Sequence, residues 1–120
     1  MQILKESREF TKIDKYRLTV APDRKSYKDL EDGEILHVKG YIAFVDTNAK
    51  DEETEILSLD CDEGVVITSS DIVKRSISDI KDVMDSDEFP IKKISGISKS
   101  GRKYQDCVLA VEELTDLSAE

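Results

Sequence analysis

The sequence predicts a mostly β domain with one helix, closed as a small barrel behind an N-terminal extension. Three observations predict it. Across residues 34–68 apolar and polar side chains alternate in consecutive short runs, the period of half-buried strands. Residues 69–89 then change to the 3.6-residue period of one amphipathic helix. Two more strand-like runs follow, joined by a short basic loop. A chain of 120 residues, 38% of them apolar, can bury a core without metals or disulfides.

Taken in order, residues 1–33 precede the main pattern. Within them KYRLTVAP (15–22) reads as an additional strand, and SYKDLEDG (26–33) as a short helical turn closed by Gly33. In EILHVKGYIAFV (34–45) Leu36, Val38, Ile42 and Phe44 share the inner face, with Phe44 in the core. Ile35, His37, Lys39, Tyr41 and Ala43 share the outer face. Gly40, mid-strand, permits the bend of a barrel corner. The polar residues 46–53 read as a loop. In TEILSLDC (54–61) Leu57, Leu59 and Cys61 point inward and Ile56 and Ser58 outward. DEG (62–64) signals a tight hairpin, and GVVIT (64–68) a short strand. Ser69 or Ser70 caps the helix, with Asp71 in its first turn. Ile72, Val73, Ile77, Ile80, Val83 and Met84 form its apolar stripe, and Pro90 ends it. Residues 90–97 and 103–112 read as the last two strands, and 113–120 as an acidic flexible tail.

From residue 34 the order is strand, strand, strand, helix, strand, strand. This is the order of the five-stranded Greek-key barrel called the OB-fold, which other α+β folds share. The expected organisation is a 1–33 extension packing on the barrel, an OB-fold domain at 34–112, and the tail at 113–120.

Charge is unevenly placed. The chain carries 27 acids against 18 bases, a net charge of −9. Yet residues 1–28 sum to +4 and residues 91–104 to +5, while 29–90 sum to −13 and 105–120 to −5. The stretch SGISKSGRKY (95–104) contains Lys99, Arg102 and Lys103 and no acid. Such blocks give one face of an acidic protein the means to attract a polyanion. They also read as strand-edge charges that discourage aggregation.

Several function classes lack a signal. No run of apolar residues reaches membrane-spanning length, and MQILKESREF lacks the apolar stretch of a secretory leader. A soluble cytoplasmic protein is expected, with no membrane partner. Cys61 and Cys107 sit in strand patterns and read as reduced core residues. His37, the only histidine, reads as a half-exposed strand residue. There is no phosphate-binding glycine loop and no Cys-x-x-Cys pair. No enzyme activity, metal or cofactor is expected.

GVVITSSDIVKRSISDIKDVM followed by IKKISGISKSGRKYQDCVLAV resembles the small single-stranded DNA-binding proteins of phages that infect Gram-positive hosts. The shared features are a preamble of some thirty residues, an acidic-Gly hairpin and an amphipathic helix. A strand then leads into a G-x-S-x-x-G-x-x-aromatic loop, here Gly96, Ser98, Gly101 and Tyr104. DLEDGEILHV (29–38) resembles that family's approach to its first long strand. The likeness runs from about residue 16 to residue 111 and rests on the order of short motifs. The resemblance implies an OB-fold and binding of single strands with little sequence preference. It also implies a role in DNA replication or recombination in the cytoplasm of an infected bacterium. The acidic 46–55 region departs from that family's pattern.

Under this likeness residues 95–104 form the ligand-binding loop between the last two strands. Gly96 and Gly101 would let it bend over a strand, Lys99, Arg102 and Lys103 would meet phosphates, and Tyr104 would stack on a base. Lys39 with Tyr41, Tyr16 with Arg17, and Arg24 with Lys25 complete the candidate DNA-binding set. Tyr27 is a further candidate ring, and each tyrosine also reads as a plug at the barrel rim. Phe10 and Phe89 read as packing residues. Single-stranded DNA is the expected partner, with replication or recombination proteins and a homodimer as further partners. The rival readings are a protein-interaction module on an OB-like scaffold, and a DNA mimic using the acidic 46–63 region.

Overall fold

Thirteen consecutive residues, Ile35–Thr47, form the strand on which the fold is organised. The computed structural model describes residues 1–47 and 49–114. Its strands are β1 (Gln2–Glu6), β2 (Lys25–Ser26), β3 (Ile35–Thr47), β4 (Glu53–Cys61), β5 (Gly64–Thr68), β6 (Phe89–Ile97) and β7 (Lys103–Leu109). Its helices are α1 (Lys12–Thr19) and α2 (Asp71–Met84). The sheet runs β2-β5-β4-β3-β6-β7, with β1 also paired to β3. It is a mostly β protein built on one curled, open sheet. The single helix expected from sequence is a correction: the described residues hold two.

β3 serves three neighbours along its length, with β1 pairing to Ile42–Val45. Its first part, Ile35–Val38, pairs antiparallel with Phe89–Lys92 of β6. Its remainder, Val38–Thr47, pairs with β4. The register slips between Val38 and Gly40, so Lys39 is an extra residue in a β-bulge. Because side chains alternate with period two, one extra residue exchanges the faces beyond it. Leu36 and Val38 therefore share a core with Tyr41 and Ala43. Ile42 and Phe44 enter a second core on the opposite face. The expectation that Leu36, Val38, Ile42 and Phe44 line one face fails for this reason.

The two cores sandwich the sheet. On one face Leu57, Leu59, Cys61, Ile91 and Cys107 pack with Val73 and Ile77 of α2. Ser70 caps α2 by accepting from the Val73 amide at 3.3 Å. The helix ends at Asp85 in a left-handed conformation, before Pro90. On the other face Phe10 and Leu18, from the N-terminal segment, cover Ile42, Phe44 and Val65. Gly40 permits that approach: a Cβ there would lie 3.1 Å from the Phe10 ring and 3.3 Å from Ser7 Oγ. Arg8 and Arg17 reach Asp60, whose side chain is only 2% exposed, at 3.2 and 3.6 Å. Ser58 and Asp60, outward by parity, are therefore buried beneath the extension.

Two further readings of the termini need correction. KYRLTVAP is not an additional strand; most of it belongs to α1. Thr11 caps α1 by accepting from the Asp14 amide, and Arg17 bonds Asp14 one turn back. Burial of Leu18 against the β3–β4 face settles what β-propensity alone would misread. The strand expected to run to residue 112 stops at Leu109, and Val111–Leu114 form a 3-10 turn. Residues 115–120 of the expected flexible tail lie outside the described residues. The polar 46–53 segment is shorter as a loop than its composition suggests, since Asp46 and Thr47 pair with Thr54 and Glu53.

Candidate nucleic-acid interface

The β6–β7 hairpin projects past the start of β3, because β3 pairs only with the first residues of β6. From Ser95 to Arg102 the two strands support each other and a closed turn. The Ser98 amide donates to the Arg102 carbonyl at 2.8 Å, the Gly101 amide donates to the Ser98 carbonyl at 2.9 Å, and Ser98 Oγ accepts from the Arg102 amide. Gly101, at φ 84°, supplies the left-handed residue the turn needs. This segment is a hydrogen-bonded turn. Gly96 lies within β6, directly opposite Tyr104.

That pairing fixes Tyr104. A Cβ on Gly96 would sit 2.4 Å from both Cζ and the hydroxyl of Tyr104. The phenol therefore lies across the glycine backbone, and Tyr104 keeps 37% of its surface exposed. Lys99, Arg102 and Lys103 are exposed around it and form no ion pair among the described residues. One turn thus combines three cations with a ring braced on one side. Such a combination can hold phosphates and stack one base.

The other two cations of the 91–104 block are already engaged. Lys93 is buried, donates to the carbonyls of Lys28 and Leu30, and lies 5.4 Å over the Tyr27 ring. Lys92 pairs with Glu112, and that hydrogen bond holds the Glu112 carboxyl below its ordinary range.

The remaining candidates do not join the hairpin group. Tyr41 is corrected outright: the bulge turns it inward, it is 5% exposed, and it lies in the core under α2. Lys39, in the bulge, stays outside and faces Asp62 at 3.8 Å. Tyr16 is exposed on α1, but Arg17 beside it is held by Asp14 and Asp60. Arg24 donates to the Ala21 carbonyl at 2.8 Å, and Lys25 lies on β2 beside β5. Tyr27 is buried, donates to the Asp106 carbonyl at 2.6 Å, and has its pKa raised by burial. Phe10 and Phe89 pack in the two cores, as their sequence context indicates.

Cys61 and Cys107 are free and buried, with burial pushing the Cys107 thiol up to about 12. His37 is half exposed and lies between two carboxylates, with Nδ1 2.6 Å from Glu63 and Nε2 2.8 Å from Glu113. Among the described residues no group of acidic, histidine or cysteine side chains is arranged to hold a metal. No helix among them is long and apolar enough to cross a membrane.

Sequence reasoning also missed three lysines. Lys5, Lys74 and Lys81 line one cavity with Tyr41. Lys74 and Lys81 stand seven apart and so share a face of α2, the one signal available beforehand. No family model, no curated protein and no solved structure matches this chain significantly.

Proposed function

We propose that the chain is a single-stranded DNA-binding protein of the OB type, which coats strands with little sequence preference. The observation that carries this reading is the β6–β7 turn, where Lys99, Arg102 and Lys103 surround a Tyr104 ring laid on Gly96. Cations meet the sugar-phosphate chain while the ring takes a base, and neither contact depends on which base it is. Asn or Gln side chains that could read base edges are absent from residues 95–104.

The strand path supports the OB assignment. Taking β3 as the first barrel strand, the path β5-β4-β3-β6-β7 has the first strand paired to both the second and the fourth. α2 lies between the third and fourth, as in that barrel. The turn between the last two strands is then a ligand loop of the fold. The setting consistent with this chemistry is DNA replication or recombination of a phage in a bacterial cytoplasm.

A second reading has one observation in its favour. An apolar groove between α2 and β7, lined by Ile80, Val83, Met84 and Leu109, leaves Val83 82% exposed. That surface suits a protein-interaction module of phage replication or an acidic module that binds a host factor. The test is a binding assay with labelled oligo-dT and a duplex of equal length across a salt series. Preference for the single strand supports the DNA reading. Absence of affinity for either at low salt replaces it with the protein-interaction reading.

A further inference from the structure

Beneath α2, away from the hairpin, β1, β3, β4 and the helix enclose a cavity of about 260 Å³. Its floor is apolar, from Ala43, Leu57 and Ile77. Around it stand Lys5, Lys74 and Lys81, the Tyr41 and Ser78 hydroxyl groups, and one carboxylate, Glu55. Each group arrives from a different constraint. The bulge at Lys39 turns Tyr41 into the cavity. Pairing of β1 with β3 sets Lys5 opposite Ala43. The seven-residue spacing on α2 directs Lys74 and Lys81 to one side, with Ile77 between them.

The charges are incompletely matched. Lys74 Nζ lies 3.5 Å from Glu55 and 3.2 Å from the exposed Asp71. Lys81 faces Asp87 at 3.8 Å, and Lys5 has no ion pair among the described residues. Coulombic interaction with Tyr41, and then with Asp87, raises the Lys81 pKa above its ordinary value. Three lysines and the residues Tyr41 and Ser78 thus border the cavity, with Lys74 held by Glu55 and Asp71, Lys81 facing Asp87, and Lys5 left as the lining cation without an ion pair among the described residues.

We propose that this cavity binds a nucleoside monophosphate group, with phosphate at the lysines and the organic part on Ala43, Leu57 and Ile77. The donor count selects the anion. A carboxylate offers two oxygens, whereas a phosphate monoester offers three and carries close to two charges at neutral pH. The size selects the remainder. At about 260 Å³ the cavity falls just below the usual range for drug-sized ligands, which suits one nucleotide. Two sources share this chemistry, a free mononucleotide and the 5′-phosphorylated end of a strand. An internal phosphodiester carries one charge and lacks the third terminal oxygen, so it fits less well. This site is separate from the hairpin and stands whether or not the hairpin binds DNA.

The test follows backbone amides by NMR while dTMP, thymidine or inorganic phosphate is added to the full chain. Saturable shifts at Ala43, Ile77 and Ser78 with dTMP are expected. Thymidine and phosphate alone should each bind at least about tenfold more weakly, the loss of one charge-assisted contact or its apolar equivalent. A Lys5→Ala, Lys81→Ala double variant should lose at least about tenfold for dTMP while keeping its circular dichroism spectrum. Glu55→Gln should shift binding the other way, since it removes the opposing carboxylate. Tighter binding of a short 5′-phosphorylated oligo-dT than of its 5′-hydroxyl form, lost in the double variant, identifies strand ends as the source. Binding of dTMP without that difference identifies the free nucleotide. The proposal is overturned by the absence of saturable shifts at these residues, by phosphate binding as tightly as dTMP, or by a folded double variant that binds like wild type.

Discussion

Tyr104 lies across Gly96, its partner on the neighbouring strand, so closely that a Cβ on the glycine would stand 2.4 Å from the phenol Cζ. The ring cannot keep this position over any other residue. Gly96→Ala should therefore lift Tyr104 from the strand. The variant is expected to weaken oligo-dT binding by up to the loss of one stacked base, about 1–3 kcal/mol. Tyr104→Ala should give a similar loss, and the double variant little more, because both remove the same contact. A fluorescence-anisotropy titration of the three variants checks this. Full additivity of the two single losses would mean that Gly96 acts in some other way than by seating the ring.

The turn cations should behave differently from the ring. Replacing Lys99, Arg102 and Lys103 with alanine should weaken binding to every oligonucleotide and flatten the salt dependence. On a single strand log K changes by about 0.7 per phosphate neutralised for each decade of salt, so three contacts amount to roughly 2 in slope. Salt titrations of wild type and triple variant measure this directly. Because the turn is closed by backbone bonds among Ser98, Gly101 and Arg102, the variant should melt close to wild type. An unchanged slope in the folded variant would remove the turn from the phosphate-binding surface.

These predictions rest on features that differ in how visible they are in the sequence. α2 and the strands after residue 53 were readable because burial on one side imposes a period, and Ser70 marks the helix start; the helix stops at Met84 with Asp85 in a left-handed conformation, short of Pro90, which lies in β6. The bulge at Lys39 was not readable. Gly40 signalled an irregularity, but one inserted residue inverts every side chain after it, and parity counted across it placed Tyr41 outside. α1 was missed because KYRLTV has β-favouring residues, while its helical state depends on Thr11 and on burial of Leu18 by a distant strand. The cations of 91–104 were visible as a block. That Lys93 would serve the carbonyls of Lys28 and Leu30 depends on a crossing that no local pattern encodes. Lys5, Lys74 and Lys81 converge only in the folded chain.

Gly40 and Phe10 couple the N-terminal segment to the sheet. The Phe10 ring occupies the space a Gly40 side chain would need, and Arg8 lies 4.1 Å over that ring. Phe10→Ala should lose about 3–5 kcal/mol of stability, the usual loss for a buried phenylalanine. Gly40→Val should also destabilise, since the contacts at 3.1–3.3 Å leave no room for a branched side chain. Urea unfolding monitored by circular dichroism gives both values. A loss below about 1 kcal/mol for Phe10→Ala would show that the second core contributes little.

His37 provides the last prediction, a dependence of stability on pH. Its ring joins three places: β3, the β4–β5 turn through Glu63, and the C-terminal turn through Glu113. Hydrogen bonds to Glu63 and then Glu113 raise its pKa above 6.5, because only the imidazolium donates to both carboxylates. A raised folded-state value means that the stabilisation is fully present below the unfolded pKa near 6.5. It is lost as pH rises through the higher folded value. Glu63 acts in the opposite direction. Its partial burial alone would raise its pKa, but hydrogen bonding to His37 lowers it below 4.5, so its share fades in acid as pH falls through that lowered value. The combined effect should be greatest between about pH 5 and 6.5 and decline toward pH 8 and above. The pairs are half exposed, so the effect should be modest and screened by salt. His37→Gln retains a polar side chain without the charge. The melting-temperature difference between wild type and this variant should be larger at pH 6 than at pH 8.5, and smaller at both in high salt. Hydrogen exchange at Val111–Leu114 should quicken in the variant at pH 6, because Glu113 loses its partner there. A difference that grows with pH would require His37 to be neutral in the folded state and would overturn the charged-bridge account.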